Sequence, residues 1–399
     1  MPFASSSSNK RVIYATQAVA VGDLGASSVV DSWGVGDSSL NGSGKMVIAH
    51  GVQSCGITTN FNLEQIFELG QLALYENYEE VPDVQITMEK VLDGYSLLYH
   101  LGTISAVNPT LIGRGDARAD VRLAVGLTSD TAVNSGDSAV AEMYASGMYL
   151  SSVSLAMPTD GNFTESVTFV GNDKIWLGGS TNGVLTNNGI VVSAFGTIFG
   201  NDSPQSPGAS VLRRQNFVTG STGRTYGGTV FRTVVPNFIP GVTSTGSGIG
   251  STLNSNCGYV NLESGVALNN VSVSVDLGRE SQNALGQKTP YNRYVSFPVD
   301  VTTDMEITAT AGDNVTASGN AKNLSNHSMQ FVLDDSTVVC LGNKNKVTSV
   351  NYDGGDTGGG NRTIGYSFVN SNDFVVLHSG DPMYALATTG NAYWKDWFV

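Results

Sequence analysis

Four histidines, three cysteines and a few glycine-rich loops are the places where this chain could hold a metal, a nucleophile or a phosphate. His50, His100, His327 and His378 stand far apart, and none belongs to an H-E-x-x-H pair, so each reads as a structural residue. Cys55, Cys257 and Cys340 form no C-x-x-C, which argues against a zinc ribbon or a redox pair and for free, mostly buried thiols. No G-x-S-x-G elbow marks a serine nucleophile. "NGSGKM" (Asn41–Met46) falls short of a P-loop, because Ser39 stands where the first glycine belongs and Met46 where a Ser or Thr would hold magnesium. "GSGIGS" (Gly246–Ser251) opens no helix and reads as a loop. "YDGGDTGGGN" (Tyr352–Asn361) offers Asp353, Asp356 and Asn361 as calcium ligands, yet fits a hairpin tip better. Arg114–Asp116 spells a short RGD that chance explains. Arg213, Arg214, Arg224 and Arg232 form the one basic cluster, placed either to meet acids on a neighbouring subunit or to face water. No catalytic residue, metal ligand set or cofactor is expected from these motifs. The chain reads as a protein of surfaces rather than an enzyme.

The elements that would carry such surfaces are strands. The 399 residues contain 48 glycines, and only 20 Lys and Arg stand against 34 Asp and Glu. Runs of Val, Thr, Ser and Tyr alternate with Gly/Asn/Asp/Ser turns, whereas helical periodicity is rare. The formal charge of −14 argues against tight nucleic-acid binding, which needs cations opposite phosphates. No apolar run is long enough for a signal peptide or a membrane span, so assembly in the cytosol is expected. Ser5–Ser8 reads as a flexible arm. The C-terminal Tyr393, Trp394, Trp397 and Phe398 are apolar enough to dock on their own domain or on a neighbour.

One sentence of the sequence is written twice. Leu69, Gly70, Gln71, Tyr75, Tyr78 and Pro82 match Leu285, Gly286, Gln287, Tyr291, Tyr294 and Pro298 at an offset of 216. One inserted residue later, Asp83, Val84, Met88 and Glu89 match Asp300, Val301, Met305 and Glu306. A second, collinear pair follows: Asn162, Thr164, Phe169 and Val170 match Asn361, Thr363, Phe368 and Val369, and Asn172-Asp173 match Asn372-Asp373. A repeat this long predicts two tandem copies of one β domain, 1–178 and 190–399, joined by the Gly/Asn/Ser-rich stretch 179–189. Two copies in one chain could occupy equivalent places in a ring.

In each copy the best strand follows the shared proline. Val84, Ile86 and Met88 point one way, as do Val299, Val301, Thr303, Met305 and Ile307. Acids hold both ends of the opposite face: Asp83 and Glu89 in the first copy, Asp300, Asp304 and Glu306 in the second. Such alternation puts one face on a core and the other toward water or a channel. Between this strand and the one before it, "NLEQIFELG" carries Asn62 as a cap with Leu63, Ile66 and Phe67 at helical spacing, and predicts a short helix or compact loop.

"VSVSVDLGRE", "LGQKTPYNRYVSFPVDVTTDMEI", "LGNKNKVTSVNYDGGDTGGGN" and "YSFVNSNDFVV" together resemble the tail tube proteins of tailed bacteriophages, best over 265–380. The earlier copy is more diverged, with Asn77 and Leu74 in place of Arg293 and Pro290. The resemblance implies a fold class that is mainly β, with two tandem sandwich or barrel domains and about one short helix in each. It implies a structural subunit of the virion tail, assembled in the host cytoplasm into rings that stack as a hollow conduit for the genome. A duplicated chain would form a homotrimer that mimics a six-fold ring. The partners implied are further copies of the chain, the tape measure, a terminator, a baseplate and, in a contractile tail, a sheath. DNA would pass without specific binding, and no membrane is involved. On this reading Asp83, Glu89, Asp300, Asp304 and Glu306 face the channel. Leu69, Gly70, Gln71, Tyr75 and Tyr78, with Leu285, Gly286, Gln287, Tyr291 and Tyr294, make subunit or ring contacts. The alternatives are a hub or baseplate ring of the same fold, a β-rich adhesin or carbohydrate-binding module, and a hydrolase with an unrecognised site.

Overall fold

Period-two alternation builds one long antiparallel sheet through the middle of the molecule. The computed structural model describes residues 17–26, 28–30, 45–70, 72–106, 108–126, 139–181, 184–187, 190–193, 210–220, 223–226, 229–242, 257–260, 267–287, 289–315, 326–335, 337–353 and 362–378. Gln71, Ser5–Ser8, the P-loop-like and GSGIGS stretches, the glycine-rich tip 354–361 and the C-terminal aromatics lie wholly or largely outside them. The chain is mainly β. Eight strands make the inner sheet: β1 (Val52–Asn60), β2 (Asp83–Val91), β3 (Ala139–Pro158), β4 (Thr164–Gly171), β5 (Ala267–Asp276), β6 (Asp300–Thr308), β7 (Lys346–Asp353) and β8 (Thr363–Ser371). Their spatial order is β1-β2-β4-β3-β5-β6-β8-β7, with every neighbour antiparallel.

The sheet is two quartets, 1-2-4-3 and 5-6-8-7, with one internal register. Ile86 sits opposite Phe169 as Thr303 sits opposite Phe368. The β1–β2 ladder has a bulge between Val52 and Ser54, and the β5–β6 ladder has one between Leu268 and Asn270. The β3–β4 ladder shifts between Thr168 and Phe169, and the β7–β8 ladder between Val347 and Ser349. Bulges re-aim a strand and are specified by sequence, so their recurrence at matching positions means that each pair of strands bends alike.

A second layer backs each quartet. In the first half it runs Lys45–Ile48, Gln17–Asp23, Arg118–Gly126, the early part of β3 and Ile175–Thr181. In the second half it runs Cys257–Tyr259, Val234–Pro236, Gln330–Val332, Val338–Cys340 and Val375–Leu377. The chain crosses between layers at Gly147 (φ +67°) in one half and at Gly342 (φ +66°) in the other. Only glycine enters this backbone region freely, and a Cβ at Gly342 would also sit 2.5 Å from the Asp373 carboxylate. The stretch 179–189 carries the end of Ile175–Thr181 and the strand Val184–Asn187.

One apolar core runs through both halves, from Ile86, Met88 and Phe169 to Val301, Met305 and Phe368. At the seam, Val153, Leu155 and Met157 of β3 lie opposite Val275, Val273 and Val271 of β5, all six buried. At about 1.5–3 kcal/mol for each buried side chain, these six contribute about 9–18 kcal/mol as an upper bound, shared between the seam and the core on either side of it. The halves are therefore firmly joined.

Two short helices, α1 (Leu98–Gly102) and α2 (Leu111–Arg114), both fall in the first half. The described residues of the second half hold a single 3₁₀ turn, Arg214–Asn216, in place of the expected helix. The helix expected over Leu63–Phe67 is a strand, paired with Leu74–Glu79 as a hairpin. Its apolar side chains are exposed among the described residues, and a helix of one turn without packing does not hold. No helix among the described residues is long and apolar enough to cross a membrane.

Candidate assembly site: a polar sheet face and two hairpins

Alternation sends the residues between the core positions of all eight inner strands to one face. Asp83, Glu89, Asp300 and Asp304 are exposed there and Glu306 is half-buried, so the five acids picked from sequence share a surface. Asp276 at the end of β5 joins them. Between the acids stand small hydroxyls: Ser274 and Thr302 share a hydrogen bond of 2.6 Å, and Ser367 Oγ donates to Asp304 at 2.6 Å. Such cross-strand pairs stabilise a sheet face that has no apolar cover. Lys90 and Lys346 are the only basic residues in the eight strands, and Lys90 is buried. Carboxylates so close on one sheet repel one another unless solvent screens them, and together they leave a polyanion few cations to hold.

The outer edges of this sheet, β1 on one side and β7 on the other, have no further strand among the described residues. An open edge presents unpaired N–H and C=O groups and is a template for another strand.

Both quartets carry a hairpin between their first and second strands. The first is Leu63–Phe67 with Leu74–Glu79; the second is Arg279–Gln282 with Asn292–Val295. Glu64 lies opposite Tyr78 in one and Glu280 opposite Tyr294 in the other. The Tyr294 hydroxyl donates to Glu280 at 2.6 Å, lowering the pKa of the Glu280 carboxyl and raising that of the phenol.

The two hairpins differ in what they touch. The second is tied to the first half of the chain. Arg293 Nη2 meets the Asp83 carboxylate at 2.5 Å, and its Nε donates to Asn172 at 3.4 Å. Arg279 Nε donates to the Leu150 carbonyl at 2.8 Å and its Nη1 to that of Gly115, with the guanidinium over the Tyr149 ring. Tyr149 in turn donates to Asn292 Oδ1 at 2.8 Å. Burial lowers the Arg279 pKa to about 10, while Tyr149 and Asp116 pull it back up. Asp83, expected only as a channel acid, thus also anchors this hairpin. The first hairpin stands clear: Leu69, Gly70, Tyr75 and Tyr78 are exposed, as are Phe61, Leu63, Phe67 and Leu72. Leu285, Gly286, Gln287 and Tyr291 are exposed at the tip of the second, whereas Tyr294 is half-buried.

Arg279, Asn292 and Tyr149 escaped sequence reading because they act through tertiary approach. The available signal was the mismatch between repeats, where Leu63 and Asn77 stand in place of Arg279 and Arg293.

The remaining candidates have structural partners. His50 stacks on Tyr95 with ring centroids 4.4 Å apart, His100 Nε2 lies 3.0 Å from the Val376 carbonyl, and His327 sits edge-on to Phe238. His378 lies 3.8 Å from Asp335. Arg114 of the RGD triplet is buried and donates to Thr103 Oγ1 at 2.8 Å. Arg213 donates to Asn162, Arg224 pairs with Asp334 of its own chain, and Arg232 covers the Tyr259 ring. Burial pushes the thiols of Cys55 and Cys257 up to about 11, and that of Cys340 higher still. Among the described residues no cluster of three His, Cys, Asp or Glu could hold a metal.

No protein-family model matches the chain, and no curated protein matches it.

Proposed function

We propose that this chain is a structural subunit of a bacteriophage tail tube, in which two copies of one sandwich fold per chain build a ring that stacks into a conduit for DNA. The observation that carries this reading is the central seam. There the last strand of one quartet pairs with the first strand of the next, and the two edges left open are of the same two kinds. Pairing β7 of one chain with β1 of the next repeats the joint, and three chains bring six quartets around a closed barrel. By analogy with the internal register, as Ser154 faces Ser274, Asn351 would face Thr58, and as Leu155 faces Val273, Tyr352 would face Ile57. The acid-bearing face would then line the bore. With the net charge of −14 it offers phosphate repulsion and few footholds, so DNA slides without being bound. Electron microscopy of the purified protein tests this reading. Annular particles or hollow tubes are expected, with the Asp83–Glu306 face toward the hole; monomers at high concentration, or rings with that face outermost, would overturn it.

A further inference from the structure

The joint inside the chain has two parts: the β3–β5 seam, and the second hairpin lying back over the first half. If the seam recurs between chains, so should the hairpin contact. The first hairpin has the build of the second but extends from the half that has no quartet beyond β1 to receive it. Leu63, Phe67, Leu69, Leu72 and Tyr75 are left 59%, 61%, 103%, 105% and 65% exposed, on a two-stranded unit that is marginal in water by itself.

We propose, resting on the ring reading above, that the first hairpin docks on the second half of a neighbouring copy of this chain, over the starts of β6 and β7 and the end of β8. Three features on both sides of the contact point there. The Asp83 carboxylate that receives Arg293 corresponds to Asp300, which accepts no hydrogen bond among the described residues, and Arg293 corresponds to Asn77, whose amide can donate to it. Tyr149, which carries Arg279, corresponds in register to Lys346: Val170 faces Tyr149 as Val369 faces Lys346. Charge also differs on both partners. The second hairpin brings Arg279 and Arg293, with Glu280, to a surface holding Asp83, Asp116 and Arg118. The first brings Glu64, Glu68, Glu76, Glu79 and Glu80, with no Lys or Arg from 61 to 80, toward a surface where Lys346 and the exposed Lys344 stand with Asp300 and Asp373. The acidic hairpin thus meets two lysines on the second half's receiving site against one arginine on the first half's, which biases the contact toward the second.

The test is disulfide trapping in the full-length chain carrying Cys55→Ser, with two separate cysteine pairs. Asn351→Cys with Thr58→Cys probes the seam between chains; Asn77→Cys with Asp300→Cys probes the hairpin. Each is oxidised and resolved on a non-reducing gel. The docking predicts that both pairs trap closed oligomers of the same size, and that Lys344→Glu with Lys346→Glu lowers the hairpin yield about fivefold while the seam yield holds. Seam trapping without hairpin trapping overturns the docking and leaves the ring standing. Hairpin trapping that grows into open ladders larger than the seam product places the hairpin on another ring and overturns the docking. Failure of both pairs overturns the ring and the docking with it.

Discussion

Lys90 and Glu165 face each other across β2 and β4 in the first quartet; Ile307 and Ile364 face each other across β6 and β8 in the second. The positions correspond, the burial is complete in all four, and the chemistry is opposite. What differs is the layer above. Over the first quartet α1 begins, and the backbone N–H groups of Leu98 and Tyr99 donate to the two oxygens of Glu165 at 2.8 Å each. Lys90 Nζ donates to Asp93 at 2.7 Å and to the His50 carbonyl at 2.6 Å, which pins the chain leading into the helix. Over the second quartet no helix starts among the described residues, and an aromatic group of Phe238, Tyr366 and Phe368 packs there instead. A helix end brings orphan donors into a dry layer, and they must be met there. The first half meets them with buried charge, while the described residues of the second half present no such helix end.

Breaking the charged pair should therefore have the largest effect. Lys90→Met leaves Asp93 buried without the cation it is paired with, a loss expected to cost about 3–5 kcal/mol. The same change at the matching position, Ile307→Met, swaps one apolar side chain for another and should cost under about 1.5 kcal/mol. Chemical denaturation of both variants compares them directly. Equal shifts of the midpoint would mean that the two layers are energetically alike and the ion pair merely fills space.

Protonation sharpens the same contrast. Burial raises the Glu165 carboxyl from its ordinary 4.5 to about 7, against the pull of the Tyr99 and Leu98 N–H groups and of Lys90. A carboxyl raised in the folded state binds protons that the unfolded chain does not hold between those two values. Its contribution to stability is thus complete below 4.5 and is lost as pH rises through about 7. The gap corresponds to ~3 kcal/mol for this group. Unfolding measured across that window should show the wild-type chain losing stability relative to Glu165→Gln as pH rises. A constant difference between the two would show that Glu165 does not titrate there.

The halves also show how far residues alone disclose the molecule. Strand alternation made β2 and β6 legible, because a half-buried strand writes its two faces into successive residues. The acid row was legible for the same reason. The seam was not: "VSLAM" on β3 marks a strand with a core face, but pairing with β5 spans more than a hundred residues and leaves no local trace. The first hairpin stands where a short helix or compact loop is expected, because Leu63, Ile66 and Phe67 satisfy helical spacing over a single turn, where strand and helix patterns overlap. Lys90 had a signal of its own, since it breaks an alternation that Ile307 keeps, but only the comparison of the two copies turns that break into a buried pair.

The hairpins supply the gentlest probe. Arg293→Asn writes the first hairpin's residue into the second. The pair it removes has a well-covered guanidinium, but Asp83 is 54% exposed, so solvent already screens much of the attraction. Global stability should fall by no more than about 1 kcal/mol. The local effect should be clearer, because among the described residues Asn292–Val295 pairs only with its own partner strand and is tied to the first half by side chains: Arg293, Arg279 and the Tyr149 hydroxyl on Asn292. Amide hydrogen exchange in Arg279–Gln282 and Asn292–Val295 should accelerate in the variant toward the rates of Leu63–Phe67 in the isolated chain, while the amides of β6 keep theirs. Protection unchanged in the second hairpin would mean that Arg279 and the Tyr149–Asn292 hydrogen bond hold it without Arg293, and that the Asn77 position in the first hairpin says little about how that hairpin is held.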